Sequence, residues 1–314
     1  MGSDSASLDC FAITGPTACG KTDLALVLAR EFPIEIVSMD SALVYRGMDI
    51  GTAKPDRVIL DEIPHHLVDI LDPEESYSAG RFVSEATGLI EDIASRGRFA
   101  LLVGGTMLYL KALRDGIAPL PERDSEVRDS IDARAEAMGW PALHAELATI
   151  DPDAAARIKP TDPQRIQRAL EVHAITGRTL TAIQRETSSP GLTIESVALM
   201  PADRTALGKM IERRFEVMVE RGLIDEVKRL RERPGLDASS PSMRAVGYRQ
   251  VWAHLDGRWD WPEAAERAVV ATRQLAKRQM TWLRSDTRSI QVDSADPRLV
   301  EKLRSRFLQH VDSA

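Results

Sequence analysis

The chain has 314 residues, which is long enough for one sizeable α/β domain and a smaller one, and its 43% hydrophobic and 28% charged residues are ordinary for a soluble globular protein. No apolar run approaches the roughly 20 residues of a membrane span, and segment 1–9 lacks the features of a secretion signal, so we expect a cytoplasmic protein. The formal net charge of -7 argues mildly against nucleic acid, although a whole-chain average does not exclude a local basic surface. Two cysteines, Cys10 and Cys19, exclude a disulfide framework and, without paired histidines, a zinc site.

The first recognisable pattern is a glycine-rich turn between an apolar strand at 10–14 and a helix at 23–30. In this strand-turn-helix context the turn predicts a phosphate-binding loop, whose amide N–H groups point at phosphate oxygens beside the positive end of the helix. Its lysine would add a full charge and its threonine hydroxyl would hold Mg²⁺. The loop consists of Gly15, Pro16, Thr17, Ala18, Cys19, Gly20, Lys21 and Thr22. The pattern is that of nucleotide-binding proteins, but the loop alone does not identify the phosphate compound.

The next predicted strand, at 34–38, ends just before Asp40. In an open parallel sheet the carboxyl ends of the strands line the ligand crevice, so Asp40 is expected to face the phosphate loop. Its carboxylate either takes a proton there or caps the following turn, and the residues alone leave both roles open. A loop at 47–55 and a short strand at 64–70 follow. Its adjacent histidines, His65 and His66, point to opposite faces of a strand and are interpreted as structural.

Two further elements complete the first half of the sheet. A helix is predicted at 77–95, and the apolar run 99–103 is typical of a central parallel strand. That strand ends at the small-residue turn 104–106, which lets a ligand approach the backbone. A helix at 107–114 follows.

The composition changes near Asp115, and residues 118–190 predict an all-helical insertion. A helix capped at 124 or 125 is expected to carry Val127, Ile131, Ala135 and Met138 on one side. A second helix begins at Pro163, after the capping residue at 162, and ends at 177. Its side chains at 164, 165, 167 and 168 either bind a polar partner or form a solvated face.

The chain returns to the sheet at 196–200 and continues in a helix at 204–221, where Arg213 and Arg214 are candidates to reach the phosphate site. The last long helix is predicted at 262–284. Its apolar residues lie on one side, whereas Arg273, Lys277 and Arg284 cluster on another. The acidic total therefore hides a basic stripe of the kind that contacts nucleic-acid phosphates.

The ordered set of motifs resembles the tRNA dimethylallyltransferase, or isopentenyl-tRNA transferase, family. The blocks that carry the resemblance extend over most of the chain, at 15–22, 38–41 with Tyr45, 51–55, 64–67, 104–109, 164–168, 246–250 and 271–279. Longer eukaryotic members add a zinc-finger extension that this sequence lacks, so it resembles the compact bacterial form.

The resemblance implies a P-loop NTPase-like α/β fold, with a mostly parallel sheet flanked by helices and a small all-helical insertion domain. The catalytic core would comprise residues 9–117 and 191–314, and the insertion 118–190 would grip the tRNA anticodon stem-loop. The implied reaction transfers a dimethylallyl group from dimethylallyl diphosphate to the N6 amine of the adenosine 3′ to the anticodon. The implied cofactor is Mg²⁺, held at Thr22, and the implied protein is cytoplasmic and monomeric.

The resemblance also assigns roles to site residues. The phosphate loop would hold the diphosphate of the isoprenoid, and Lys21 would stabilise it as it leaves. Asp40 would accept the proton of the amine, Thr106 would contact the nucleotide or support this base, and Arg214 would assist the leaving group.

The target base must leave its stack to reach a buried centre, and the rest of the tRNA would be recognised by shape and splayed bases. The implied tRNA-binding residues are Asp40, Ser41, Ala42, Leu43, Thr106, Arg128, Gln164, Arg165, Ile166, Gln167, Arg168, Met243, Arg244, Ala245, Val246, Gly247, Tyr248, Arg273, Lys277, Arg278, Gln279, Met280, Thr281, Trp282, Leu283 and Arg284.

Three alternatives remain at this stage. An adenylate isopentenyltransferase would give the same group to a free nucleotide, and an ATP-dependent kinase would use the same loop with Asp40 as base. A non-catalytic RNA-binding protein with an inert loop is disfavoured, because Lys21, Thr22 and Asp40 are all present.

Overall fold

The structure, a computed structural model, describes residues 8–313, so most of the N-terminal segment 1–9 lies outside it. The described chain divides into two units, one formed by residues up to Arg114 together with those from Gly191 onward, the other by Asp115–Pro190. Within residues 8–313 no helix is long and apolar enough to cross a membrane.

The first unit is built on a sheet of six strands in the order β3-β2-β4-β1-β5-β6, and each pair of neighbours is parallel. The strands are β1 (Leu8–Thr14), β2 (Ile34–Ser38), β3 (His65–His66), β4 (Phe99–Gly104), β5 (Leu192–Met200) and β6 (Ile290–Asp293). The predicted α/β sheet is therefore confirmed. Because the strands are parallel, the phosphate loop after β1, Asp40 after β2 and the turn after β4 lie at one edge.

The helices flank both faces of this sheet or form the second unit. They are α1 (Lys21–Glu31), α2 (Arg57–Glu62), α3 (Ala79–Ser95), α4 (Met107–Asp115), α5 (Ser125–Met138), α6 (Trp140–Ile150), α7 (Pro152–Arg157), α8 (Pro163–Thr176), α9 (Leu180–Gln184), α10 (Arg204–Glu220), α11 (Leu223–Arg231), α12 (Tyr248–Leu255), α13 (Trp261–Ser285) and α14 (Leu299–Ser313). A 3-10 turn at Ser242–Arg244 precedes α12.

The central strand β1 shows how the sheet is buried on both faces. Phe11 and Ile13 belong to a cluster with residues of α1 and α14, whereas Cys10 and Ala12 pack with residues of α3 and α4. Successive side chains of a strand point to opposite faces, so a continuous apolar run is required when both faces carry helices.

The C-terminal part of the unit differs from the sequence-based prediction. The helix predicted at 262–284 is present as α13, but it is not the last, because β6 and α14 follow it. Strand β6 has only four residues and pairs with β5 alone, so its pattern is weak. Leu299, Leu303 and Phe307 recur at a spacing of four residues on the buried side of α14, which is a signal that the sequence does contain.

The second unit has its own helical core, formed by α5 to α9. Its buried side chains include Ile131, Leu143, Leu147 and Ile166. Met138 was placed on the same side of this helix as Val127, Ile131 and Ala135. It is the last residue of α5, and its side chain is exposed.

A buried carboxylate joins three segments of this second unit. The Glu171 side chain is fully buried and accepts hydrogen bonds from Arg128 Nε at 2.7 Å, Arg168 Nη1 at 2.6 Å and the Asp124 N–H at 3.0 Å. Burial by itself raises the pKa of Glu171, but the hydrogen bonds from the two arginines lower it to about 2. Arg128 and Arg168, predicted to bind tRNA, are thus engaged in holding the unit together.

Candidate active site

The phosphate loop connects β1 to α1 in a tight turn. Positive φ angles at Ala18 (63°) and Gly20 (83°) alternate with ordinary ones, a conformation that turns successive amides toward a common concave side. A Cβ on Gly15 would lie 2.8 Å from the Leu199 carbonyl oxygen, so the loop requires glycine there. Lys21 Nζ donates to the carbonyls of Gly15 at 3.0 Å and Pro16 at 2.7 Å. The ammonium group is therefore held inside the loop, where a phosphate oxygen could replace these acceptors.

Asp40 lies beside this loop, after the end of β2. Its Oδ1 accepts the Ala42 N–H at 2.8 Å, so one carboxylate oxygen caps the turn while the residue also lines the cavities next to the loop. The structure therefore shows the capping role, and the role of proton acceptor stays a prediction. The Ser41 N–H donates to Thr106 Oγ1 at 3.1 Å, and the Thr106 N–H donates to the Met39 carbonyl at 3.1 Å. These bonds fix the ends of β2 and β4 against each other.

The structure distinguishes the two arginines of α10. Arg213 is exposed and pairs with Glu216 at 3.1 Å. Arg214 is half-buried at the cavity wall, and its Nη2 donates to the Thr52 carbonyl at 3.3 Å. Burial lowers the pKa of Arg214, while nearby Asp40 raises it, and a guanidinium stays charged at neutral pH. Of the two arginines, Arg214 is therefore the one that lines the cavity of the phosphate loop.

Gln279 of α13 joins the loop to the sheet. Its Oε1 accepts the Thr17 N–H at 3.0 Å, and its Nε2 donates to the Gly105 carbonyl at 2.8 Å. The side chain is buried, whereas the sequence analysis placed it on the tRNA surface. Its position supports a structural role, in which it links the phosphate loop to the turn after β4.

A second lysine was missed as a structural residue. Lys54 is buried, and its Nζ donates to the Tyr45 carbonyl at 2.8 Å, to Asp49 Oδ1 at 2.7 Å and to Asp69. It ties the two ends of segment 45–54 to the segment after β3. The lysine of the block 51–55 therefore holds the shape of a loop that lines the site.

Two cavities meet at these residues. One, of about 550 Å³, extends from the phosphate loop, and the other, of about 600 Å³, has a more apolar wall that includes Met107, Leu108, Phe215 and Trp282. Both are lined by Thr17, Asp40, Thr52, Gly105, Arg214, Leu275 and Gln279. Both volumes suit a small ligand or one nucleoside. A phosphate compound and an organic group could thus approach Asp40 from different sides.

Comparison with known proteins identifies the family. The model of the family described as IPP transferase matches residues 43–286. The chain is 53% identical over 306 residues to the tRNA dimethylallyltransferase of Thioalkalivibrio sulfidiphilus, covering 96% of this chain and 95% of that one. It is 58% identical over 274 residues to the tRNA dimethylallyltransferase of Aromatoleum aromaticum, covering 87% and 86%. The chain belongs to the IPP transferase family.

Solved structures of the IPP transferase family have the same fold. The full-length tRNA isopentenylpyrophosphate transferase of Bacillus halodurans is 37% identical, with a TM-score of 0.70 over 98% of both chains. A eukaryotic dimethylallyltransferase acting on tRNA is 26% identical, with a TM-score of 0.79 over 96% of this chain and 78% of that one. The resemblance drawn from the sequence motifs is confirmed.

The resemblance to the IPP transferase family leads us to expect a divalent metal ion near the phosphate loop. Among residues 8–313, no group of three or more His, Cys, Asp or Glu side chains could hold an ion. Mg²⁺ bound with a phosphate needs only one or two protein ligands, because phosphate oxygens and waters complete its shell. The Thr22 side chain is exposed at the start of α1 and lines the cavity of the phosphate loop. The site therefore fits a phosphate-bound Mg²⁺ and does not fit a metal held by protein alone.

The predicted tRNA-binding residues differ in how far they are exposed. Buried side chains are those of Ile166, Met243, Tyr248, Gln279, Met280 and Leu283. Gln279 nevertheless lines both cavities, whereas the other five pack inside their units, so their side chains do not offer the predicted contact with RNA. Exposed residues are Ser41, Gln164, Arg165, Arg244, Arg273, Lys277, Arg278, Thr281 and Arg284, and the partly exposed ones are Ala42, Leu43, Gln167, Ala245, Val246 and Trp282. Gly247 is buried and offers only backbone.

The exposed cations of α13 differ in how free they are. Arg273 Nη2 donates to Glu212 at 2.5 Å, so part of its charge is neutralised. Arg278 lines the more apolar cavity, and Lys277 is the exposed residue before it. The charge of the basic stripe inferred from the sequence is thus partly neutralised at Arg273.

Proposed function

We propose that this protein transfers a dimethylallyl group from dimethylallyl diphosphate to the N6 amine of the adenosine 3′ to the anticodon of tRNA. The observation that carries the proposal is that the phosphate loop and Asp40 line one cavity, and that a second, more apolar cavity reaches the same carboxylate. The names of the relatives support the same reaction.

The diphosphate end of the donor would lie on the phosphate loop. The backbone amides at 18–22, the Lys21 ammonium and the Arg214 guanidinium would offer hydrogen bonds and positive charge to a leaving diphosphate. To bind it, Lys21 exchanges its bonds to the loop carbonyls for phosphate oxygens. Thr22 would hold Mg²⁺, which supplies further charge neutralisation to the diphosphate when bound.

The acceptor base would enter the apolar cavity. Trp282, Phe215 and Met107 provide surfaces for a flat ring drawn out of the anticodon loop, and Arg244 and Arg278 lie at the same cavity. The Thr106 side chain, held by the Ser41 N–H, is placed to support either the base or the turn that carries Asp40. The adenine amine and the allylic carbon would then meet at Asp40.

The reaction follows from these positions. The bond between the allylic carbon and the diphosphate oxygen breaks, and its electron pair leaves with the diphosphate. The amine nitrogen forms a new bond to that carbon and gives its proton to the Asp40 carboxylate. The Ala42 N–H holds one oxygen of this carboxylate, so the other is available as the proton acceptor.

The tRNA body would be held by the exposed residues of the predicted set, including Gln164 and Arg165 of the helical insertion and Lys277 and Arg284 of α13. The protein is proposed to act as a monomer. A tRNA substrate agrees with a cytoplasmic location. We retain the residue boundaries 118–190 for the domain proposed to grip the anticodon stem-loop.

The test uses the purified protein with Mg²⁺ and labelled dimethylallyl diphosphate, offered unmodified tRNA, AMP or no acceptor. Label is expected on tRNA only. Label on AMP instead would favour an adenylate isopentenyltransferase, and turnover of ATP with a metabolite would favour a kinase.

The variant Asp40→Asn sharpens this test. The amide keeps an oxygen for the Ala42 N–H and so preserves the turn, but it cannot accept the proton. We expect transfer to be lost with tRNA affinity retained, as measured by filter binding. Loss of tRNA affinity with residual transfer would make Asp40 a recognition residue.

A further inference from the structure

A buried carboxylate outside the cavities holds the loop that forms their wall. Glu226 of α11 is only 2% exposed. Its Oε2 accepts the N–H groups of Asp49 at 3.0 Å and Ile50 at 2.8 Å, and its Oε1 accepts the Gly51 N–H at 3.1 Å. Consecutive amides 49–51 are therefore gathered around one side chain that is distant in sequence.

Tyr248 completes this arrangement. Its fully buried hydroxyl donates to Oε1 of Glu226, and its ring lies against the backbone of residue 51. A Cβ on Gly51 would be 2.5 Å from that ring, so the contact requires glycine. Burial, followed by the nearby Glu226 charge, raises the pKa of Tyr248 well above its ordinary value, which keeps the hydroxyl a donor.

The segment held in this way is part of the site. Gly51 and Thr52 line the apolar cavity, and the Thr52 carbonyl accepts Nη2 of Arg214 at 3.3 Å. The position of this carbonyl therefore influences the direction of the guanidinium that faces the phosphate loop. Neither Glu226 nor Tyr248 lines either cavity.

We propose that Glu226, supported by Tyr248, is a positioning residue that sets the Thr52 carbonyl and thereby aims Arg214 at the diphosphate. The proposal rests on the proposed function for the identity of the diphosphate. The physical basis of the proposal is the match between the Glu226 carboxylate and its donors. A carboxylate offers only acceptors, and this one accepts hydrogen bonds from four donors. Each half of the carboxylate is saturated, so the loop is fixed at consecutive residues.

Glu226→Gln tests this match with little change in shape. The amide NH₂ group replaces one oxygen, so two of the four donors face another donor. We expect the affinity for inorganic diphosphate with Mg²⁺, measured by calorimetry, to fall about 10- to 100-fold, the factor that corresponds to one or two buried donors left unsatisfied. The Michaelis constant for dimethylallyl diphosphate should rise with it.

A double-mutant cycle separates positioning from general stability. In an Arg214→Ala background, Glu226→Gln is expected to cause little further loss of diphosphate affinity, because its effect acts through that arginine. An equal loss in both backgrounds would overturn the route through Arg214. Glu35→Gln is the matched control, since Glu35 is a buried carboxylate of β2 that lines neither cavity. It should lower the melting temperature and leave diphosphate affinity unchanged.

Tyr248→Phe keeps the test decisive if Glu226→Gln does not fold. It retains the ring against Gly51 and removes only the hydroxyl donor. A smaller loss of diphosphate affinity in the same direction is expected, and unchanged affinity in a folded Tyr248→Phe protein would contradict the proposal. A wild-type protein that binds diphosphate but does not modify tRNA would refute the proposed function. The positioning role of Glu226 would still be decided by the diphosphate affinities of the variants.

Discussion

Gln279 gives the sharpest test of how the site is held, because one side chain joins two turns. Replacing it by leucine keeps the approximate volume but leaves the Thr17 N–H and the Gly105 carbonyl without their partners. An unsatisfied buried group costs about 1–3 kcal/mol, and the half-buried Thr17 amide can regain part of this from water. If this free energy is lost from the loop conformation that binds diphosphate, the affinity for diphosphate should drop about 10- to 100-fold.

The assay is calorimetric titration with inorganic diphosphate and Mg²⁺, accompanied by tRNA binding. Gln274→Leu is the control, because Gln274 is exposed on the same helix and lines neither cavity. Gln279→Glu should bind diphosphate still more weakly, since it keeps the acceptor for Thr17 but opposes the Gly105 carbonyl and the anionic ligand. Weaker tRNA binding with unchanged diphosphate affinity would refute this reasoning and restore the role that the sequence indicated.

Two further outcomes are expected. Because the pKa of Glu171 falls from 4.5 to about 2 on folding, its ionised form contributes about 3 kcal/mol that is present above pH 4.5 and lost as pH falls toward 2. Glu171→Gln should therefore lower the melting temperature at pH 7 and flatten its acid dependence, and an unchanged acid limb in that variant would contradict the assignment. Replacing Lys277 and Arg278 by alanine should weaken tRNA binding and reduce the salt slope by about 2, with a smaller effect for Arg273→Ala because Glu212 neutralises it. Equal salt slopes of tRNA binding for wild type and all variants would mean that these basic side chains of α13 contact solvent and not tRNA phosphates.

The parts of the site that sequence could predict are those formed by neighbours in the chain. The phosphate loop follows from a strand, a turn and a helix in succession, and Asp40 follows from the end of the next strand. A parallel sheet brings these ends together whatever the remainder of the fold does. Local pattern and one topological rule were therefore enough to predict the edge of the sheet that carries the phosphate loop and Asp40.

The supporting side chains could not be predicted in this way. Gln279 bonds to an amide 262 residues away, and Glu226 to amides 175 to 177 residues away. Their chemistry is that of ordinary surface residues until the fold buries them. The family resemblance assigned Gln279 and Tyr248 to tRNA binding as members of whole motif blocks. A polar or aromatic residue inside a motif block carries no local sign of whether it faces a ligand or the loop that holds the ligand.

The same long-range contacts bear on which phosphate compound suits the loop. The Thr17 amide is paired with Gln279 Oε1, so fewer loop amides are open to phosphate oxygens. We expect the remaining amides up to Thr22, with Lys21, to bind a diphosphate, which has fewer oxygens to pair than a triphosphate, and Arg214 lines the same cavity. The pattern of the loop is shared with nucleotide-binding proteins, whereas its hydrogen-bond partners favour the diphosphate of the proposed reaction. Direct competition between ATP and inorganic diphosphate for the protein measures this preference, and tighter binding of ATP would contradict the argument.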